Sequence, residues 1–219
     1  AAHWLPMDRR RGSRLVVVAI ALTVAACGGS GYEYVENDDA GLYFRVPDTW
    51  SVVPVDTTDE AIPETLLQSE QWVRLLDKSS DPDLANLQAL LPAQPVGLAS
   101  VSSVATNTER DALDYVALRS MALGGEDDPL ELASTVDSGV ELVSIDDVTT
   151  EEGLRGERIV FTVAQDDGGL VTFDQTSLDN PLTTEIYRLF LKCEAHCYEA
   201  NRGEIDDIQK PESWTERYR

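Results

Sequence analysis

The sequence predicts an α+β domain in which helices flank an antiparallel β-sheet. Three observations lead there. Apolar and polar residues alternate over residues 41–47, with Leu42, Phe44 and Val46 on one face and Tyr43 and Arg45 on the other. A helical spacing follows near residues 108–123, where Leu113, Val116, Ala117 and Ser120 share a face. From Val140 onward the period returns to two through several consecutive runs. A strand pair, then helices, then a run of strands and a closing helix is the order expected of an α+β domain.

The chain opens with a segment of another kind. Arg9, Arg10, Arg11 and Arg14 form a basic cluster, and an uncharged apolar run occupies residues 15–26. The run suits a signal-peptide core and is shorter than the ~20 apolar residues a bilayer span requires. It ends in Val24-Ala25-Ala26-Cys27, which resembles a lipobox. Small Ala25 and Ala26 admit a peptidase, Val24 fills an apolar pocket, and the Cys27 thiol takes the lipid. Residues 1–26 are therefore read as a signal peptide with its natural start at Met7. Cys27 is read as the lipidation (palmitate-type) site, and residues 28–31 as a flexible Gly-Gly-Ser-Gly tether. The expected location is the extracytoplasmic face of the cell membrane. Removing four arginines and one aspartate with the leader takes the formal charge from −23 to −26. Such a surface repels polyanions, so nucleic acid is not an expected partner.

Residues 32–219 then form one domain. After the first strand, Pro47-Asp48-Thr49-Trp50 reads as a turn, and residues 51–54 return antiparallel. Residues 64–76 read as a helix burying Leu67, Val73, Leu75 and Leu76, and residues 83–91 as a short helix between Pro82 and Pro92. The small, β-tending residues 97–105 predict a buried strand. Thr108 and Asp111 resemble a capping box for the helix that ends at Gly124-Gly125. Strands are expected at 140–149, 155–164, 170–177, 184–193 and 197–201, with Asp167-Gly168-Gly169 turning one hairpin. A short helix over 204–209 closes the domain.

Several short motifs resemble the PsbP-like family, which includes actinobacterial lipoproteins of the LpqN type. They are Phe44-Arg-Val-Pro47-Asp-Thr-Trp50, Gly156-Glu-Arg158, Tyr187-Arg-Leu-Phe-Leu, Cys197-Tyr198, the Ile205 to Ile208 turn, and Ser213-Trp214. The resemblance covers about residues 32–216; the acidic stretch 56–95 departs from the family pattern. The resemblance implies an α/β/α sandwich around an antiparallel sheet, with Trp50 and Trp214 anchoring opposite ends of its packing. It also implies a binding or assembly role rather than an enzymatic one.

The residues that could carry chemistry are few. Cys193-Glu-Ala-His196-Cys197 admits three readings: a disulfide, two free thiols, or a metal site. Zinc wants four ligands, and past the leader no second Cys or His pair exists to complete the set. Cys parity favours a Cys193–Cys197 disulfide across a hairpin with residues 194–196 as its loop. No Gly-x-Ser-x-Gly elbow or phosphate loop occurs, so no catalytic residues and no cofactor are assigned. The acidic pairs Asp38-Asp39, Asp127-Asp128, Asp146-Asp147, Asp166-Asp167 and Asp206-Asp207 read as solvated. The resulting expectation is a non-enzymatic, membrane-anchored binding or assembly module of the bacterial envelope. Its partners would be membrane lipid through Cys27 and an envelope protein or small molecule. The alternatives are an envelope hydrolase using acidic residues, or an ion-binding structural surface protein.

Overall fold

Leu42, Phe44 and Val46 alternate because one side of their strand faces a core. All three are buried on β2 (Leu42–Pro47), which pairs antiparallel with β1 (Tyr32–Asn37) in a separate two-stranded ribbon. The computed structural model describes residues 31–57, 70–124, 127–166, 168–210 and 214. Seven further strands form one sheet: β3 (Ser51–Pro54), β4 (Glu70–Asp77), β5 (Val96–Ser103), β6 (Val140–Thr149), β7 (Arg155–Ala164), β8 (Leu170–Asp179) and β9 (Glu185–Glu194). Their spatial order is β3-β4-β5-β9-β8-β7-β6, and every neighbouring pair is antiparallel. The expected α+β class and antiparallel sheet are present.

Central β9 shows how the sheet divides two cores. Tyr187, Leu189, Leu191 and Cys193 point to one face, where the β1–β2 ribbon and helix α5 (Ala195–Gln209) cover them. Trp50 and Trp214 both lie in this layer, and the Trp214 ring stacks on Phe44 at 5.8 Å. Ile186 and Phe190 point to the other face. There the short helices α1 (Leu84–Gln88), α2 (Asn107–Ala112), α3 (Tyr115–Ser120) and α4 (Pro129–Ser134), with a 3₁₀ turn at Met121–Leu123, form the outer layer. Helices thus cover both faces.

The strands expected near 97–105, 140–149, 155–164, 170–177 and 184–193 are β5 to β9. Four expectations are corrected. Residues 51–54 do not return on the strand before them: β2 pairs with β1, and β3 joins the seven-stranded sheet beside β4. Residues 70–76 are strand, not helix: Val73, Leu75 and Leu76 are buried as predicted, but across the pleat of β4. A short apolar run does not distinguish the two periods, and residues 64–69 lie outside the described residues. The helix near 108–123 is broken into α2, α3 and the 3₁₀ turn. Its capping box starts two residues earlier than expected: the Thr106 hydroxyl accepts from Glu109 N, and the Glu109 carboxylate accepts from Thr106 N. Finally, no strand occupies 197–201. Helix α5 begins at Ala195 and buries Cys197, Tyr198, Ile205 and Ile208 on one stripe, running straight through Gly203.

The sheet ends differently at its two edges. β3 has four residues and closes with Pro54. β6 carries a bulge at Val143, between Leu142 and Ser144, and exposes Glu141, Asp146 and Asp147.

Candidate functional site

Several charged side chains are paired inside the fold. β7 presents Arg158 to one face and Glu157 to the other. Arg158 donates to both oxygens of Asp174 and also to Asp206 of α5. The Tyr198 hydroxyl donates to the same Asp174 at 2.8 Å, and burial with the adjoining carboxylate pushes that phenol well up. On the opposite face, Glu157 accepts from Arg119 of α3 at 2.7 Å, and Arg119 also forks onto Asp128. Those bonds to Asp128, the foremost influence, hold the Arg119 guanidinium above its usual range.

A third pair depends on an irregular backbone. An extra residue, Gln71, bulges out of β4, so Glu70 lies opposite Ser102 instead of continuing the Trp72 face. Glu70 there meets Arg188 at 2.9 Å with both side chains buried. Burial raises the Glu70 carboxyl, against the opposing pull of Arg188 and Ser100. These three clusters join sheet to helix or strand to strand.

A further ion pair lies at the surface. A cleft of about 250 Å³ lies where the α2–α3 turn meets the ends of β7 and β8, lined by Leu113, Asp114, Tyr115, Leu118, Arg155 and Asp179. Asp114 caps α3 by accepting from Ala117 N, which fixes the start of that helix and the position of Tyr115. Arg155 reaches across to both oxygens of Asp179, each at 3.3 Å, while its side chain stays 58% exposed. These bonds to Asp179 hold the Arg155 guanidinium above its usual range. Tyr115 is 44% exposed beside it. An oriented guanidinium, an exposed phenol ring and an apolar floor from Leu113 and Leu118 make a surface suited to binding.

The residues singled out in the sequence are distributed as follows. Val24, Ala25, Ala26 and Cys27 lie outside the described residues. Cys193 ends β9 and Cys197 sits in the first turn of α5, so residues 194–196 are a strand-to-helix corner and not the expected hairpin loop. The two buried cysteines are free thiols. The Cys193 thiol donates to Cys197 Sγ; that bond, followed by one from Asn201, pulls the Cys197 thiol down, while the same contact raises Cys193. Lys78 donates to Asn201 at 2.7 Å and pairs with Glu204 at 2.8 Å close by. His196 points outward toward Glu194 and is 76% exposed. Among the described residues, no three His, Cys, Asp or Glu side chains gather as a metal site. Asp38, Asp39, Asp127, Asp146, Asp147 and Asp166 are exposed, whereas Asp128, Asp206 and Asp207 hold partners within the fold. Sequence reasoning missed the cleft, because Tyr115, Arg155 and Asp179 lie far apart along the chain without a motif.

No family model matches the chain, and no curated protein matches it. Solved structures do. LpqN of Mycobacterium tuberculosis, described as involved in cell envelope biogenesis, is 15% identical; the match covers 84% of this chain and 89% of LpqN at a TM-score of 0.50. The cyanobacterial PsbP of Synechocystis sp. PCC 6803 is 13% identical over 89% of this chain and 99% of that one, with a TM-score of 0.46. The Saccharomyces cerevisiae Ran-binding protein Mog1p is 11% identical over 84% and 95%, with a TM-score of 0.46. The match to LpqN shows that the chain shares the fold of that protein.

Proposed function

We propose that this chain is a membrane-anchored extracytoplasmic lipoprotein that serves as a non-enzymatic binding or assembly module of the cell envelope. Cys27 is its lipid attachment point, and the cleft beside Arg155 is its binding surface. The carrying observation is the contrast between the ion clusters and the cleft. Arg119, Arg158 and Arg188 are paired inside the fold, whereas Arg155 is oriented by Asp179 with its guanidinium open to an incoming carboxylate or phosphate. Arg and Tyr are also the residue types that most often dominate protein interfaces. The order of basic cluster, apolar run and Val-Ala-Ala-Cys supports the anchor. No helix among the described residues is long and apolar enough to cross a membrane. LpqN, with the same fold, is described as an envelope-biogenesis protein, which agrees with this reading.

Metabolic labelling with palmitate tests the anchor. Label should enter the wild-type chain and be absent from the Cys27→Ser variant; equal incorporation in both would remove the anchor. Cross-linking in intact envelopes tests the module. A defined cross-linked species should form with wild type and be lost with Arg155→Ala. Turnover of an envelope substrate, with no such species, would overturn the binding reading.

A further inference from the structure

The outer face of the β1–β2 ribbon is graded in chemistry along its length. At the end nearest the tether, the Arg45 guanidinium sits over the Tyr32 ring, 4.6 Å from its centroid. The Tyr32 hydroxyl donates to Asp207, which also pairs with Lys210 at 2.6 Å. One step further, the Tyr34 and Tyr43 rings stack at 5.0 Å with 17° between their planes, and Tyr34 is 47% exposed. Glu36 stands opposite Tyr43 across the ribbon, and the turn residues Asp38 and Asp39 lie beyond; all three acidic residues are exposed. The inner face of the same ribbon, Val35, Leu42, Phe44 and Val46, is buried in the core. The outer tyrosines therefore do no work in that core.

Only residues 28–31 separate Cys27 from Tyr32. Five residue steps reach at most about 17 Å when fully extended, and a Gly/Ser chain of that length averages nearer ~12 Å. Tyrosine and arginine are the side chains that settle at a bilayer interface, with rings among the headgroups and polar ends in water. Acidic groups are repelled from an anionic surface.

We infer that the tyrosine–arginine face of the β1–β2 ribbon docks on the bilayer surface next to the lipidated Cys27, with the Asp38–Asp39 turn directed away from it. This rests on the anchor proposed above and adds an orientation. The ribbon lies on the membrane, and the sheet behind it carries the Arg155 cleft above.

The test uses the full-length lipidated protein in phosphatidylcholine vesicles that contain a spin-labelled lipid quencher. An environment-sensitive fluorophore is attached to one introduced cysteine in each of Tyr34→Cys, Asp38→Cys and Val136→Cys; Val136 is 86% exposed and lies in the distant α4–β6 connection. Cys193 and Cys197 are buried, and a parallel sample without an introduced cysteine corrects for any labelling there. Quenching at position 34 should exceed that at 136 by at least about threefold, with position 38 below position 34. Adding phosphatidylglycerol should widen the difference between 34 and 38. Equal quenching at all three positions in protein that sediments with vesicles would overturn the orientation and leave the anchor standing. Protein that fails to sediment, matching Cys27→Ser, would overturn both.

Discussion

Arg158 and Asp174 stand diagonally across β7 and β8 and form a forked ion pair, with N···O distances of 2.9 and 2.6 Å. Asp174 is fully buried, so its charge depends on Arg158 and Tyr198. Removing one member of such a pair leaves the other charge uncompensated, at a cost of about 3–5 kcal/mol. Asp174→Ala should lower the stability measured by urea unfolding by that amount. Replacing both, as Arg158→Met with Asp174→Leu, should recover most of it. A loss under about 1 kcal/mol for the single variant would show that the pair does not hold α5 to the sheet.

Two glycines give opposite expectations. A Cβ on Gly97 would overlap the Phe190 carbonyl of the adjoining strand, so Gly97→Ala should cost at least about 3 kcal/mol through backbone displacement. Gly203 sits inside α5 with open space around it, and Gly203→Ala should add roughly 0.5–1 kcal/mol by restricting the unfolded chain. Thermal melts of the two variants should therefore move in opposite directions.

Acid should loosen the packing of α3 and α4 on the sheet. Burial opposes ionisation of Asp128, but the Arg119 bonds and the Leu130 amide outweigh it and hold the carboxyl below its ordinary value of 3.8. A depressed folded-state value contributes stability that is present above the unfolded value and lost as pH falls through the folded one. Unfolding free energy should thus decline below about pH 4. Asp128→Asn should start lower and flatten that part of the profile; a slope identical to wild type would count against the assignment.

At the cleft, Tyr115→Ala and Arg155→Ala should change stability by less than about 0.5 kcal/mol, because both side chains are largely exposed. Cross-linking yield to an envelope partner should nonetheless fall roughly tenfold, the effect of about 1.4 kcal/mol at an interface anchor. Unchanged yield from both variants would move the binding surface elsewhere.

The Cys193–Cys197 pair should close when a small-molecule disulfide such as oxidised glutathione is supplied. The two thiols lose two protons and two electrons, and the oxidant leaves as two thiols. The intact mass should fall by about 2 Da without gaining glutathione, and closing so short a loop should contribute about 2 kcal/mol. Persistence of both free thiols would exclude the disulfide expected from the sequence.

Legibility followed the regularity of the chain. β6 to β9 could be read because each is a ten-residue run bounded by turn residues such as Gly153, Gly168 and Pro181, even though β8 and β9 are buried on both faces. β4 could not: Gln71 inserts one residue into its ladder, and Trp72-Val-Arg-Leu-Leu76 suits either period. The first half of α5 was mistaken for a strand because Gly203 hides the continuity between Tyr198 and Ile205. The two cysteines meet as free thiols at a strand-to-helix corner, where a hairpin was expected. The cleft left no trace in the sequence. Arg155 and Asp179 become partners only through the register of β7 with β8.

The bulged, acidic β6 edge bears on how many copies can share a small area. An open sheet offers its outermost backbone amides and carbonyls as a template for a neighbour's strand, which is how ordered aggregates begin. Val143 distorts that template, and Glu141, Asp146 and Asp147 would place like charges against any second copy. At the opposite margin, Pro54 lacks the amide needed to continue a ladder. Crowded molecules can therefore collide sideways without zipping into fibrils.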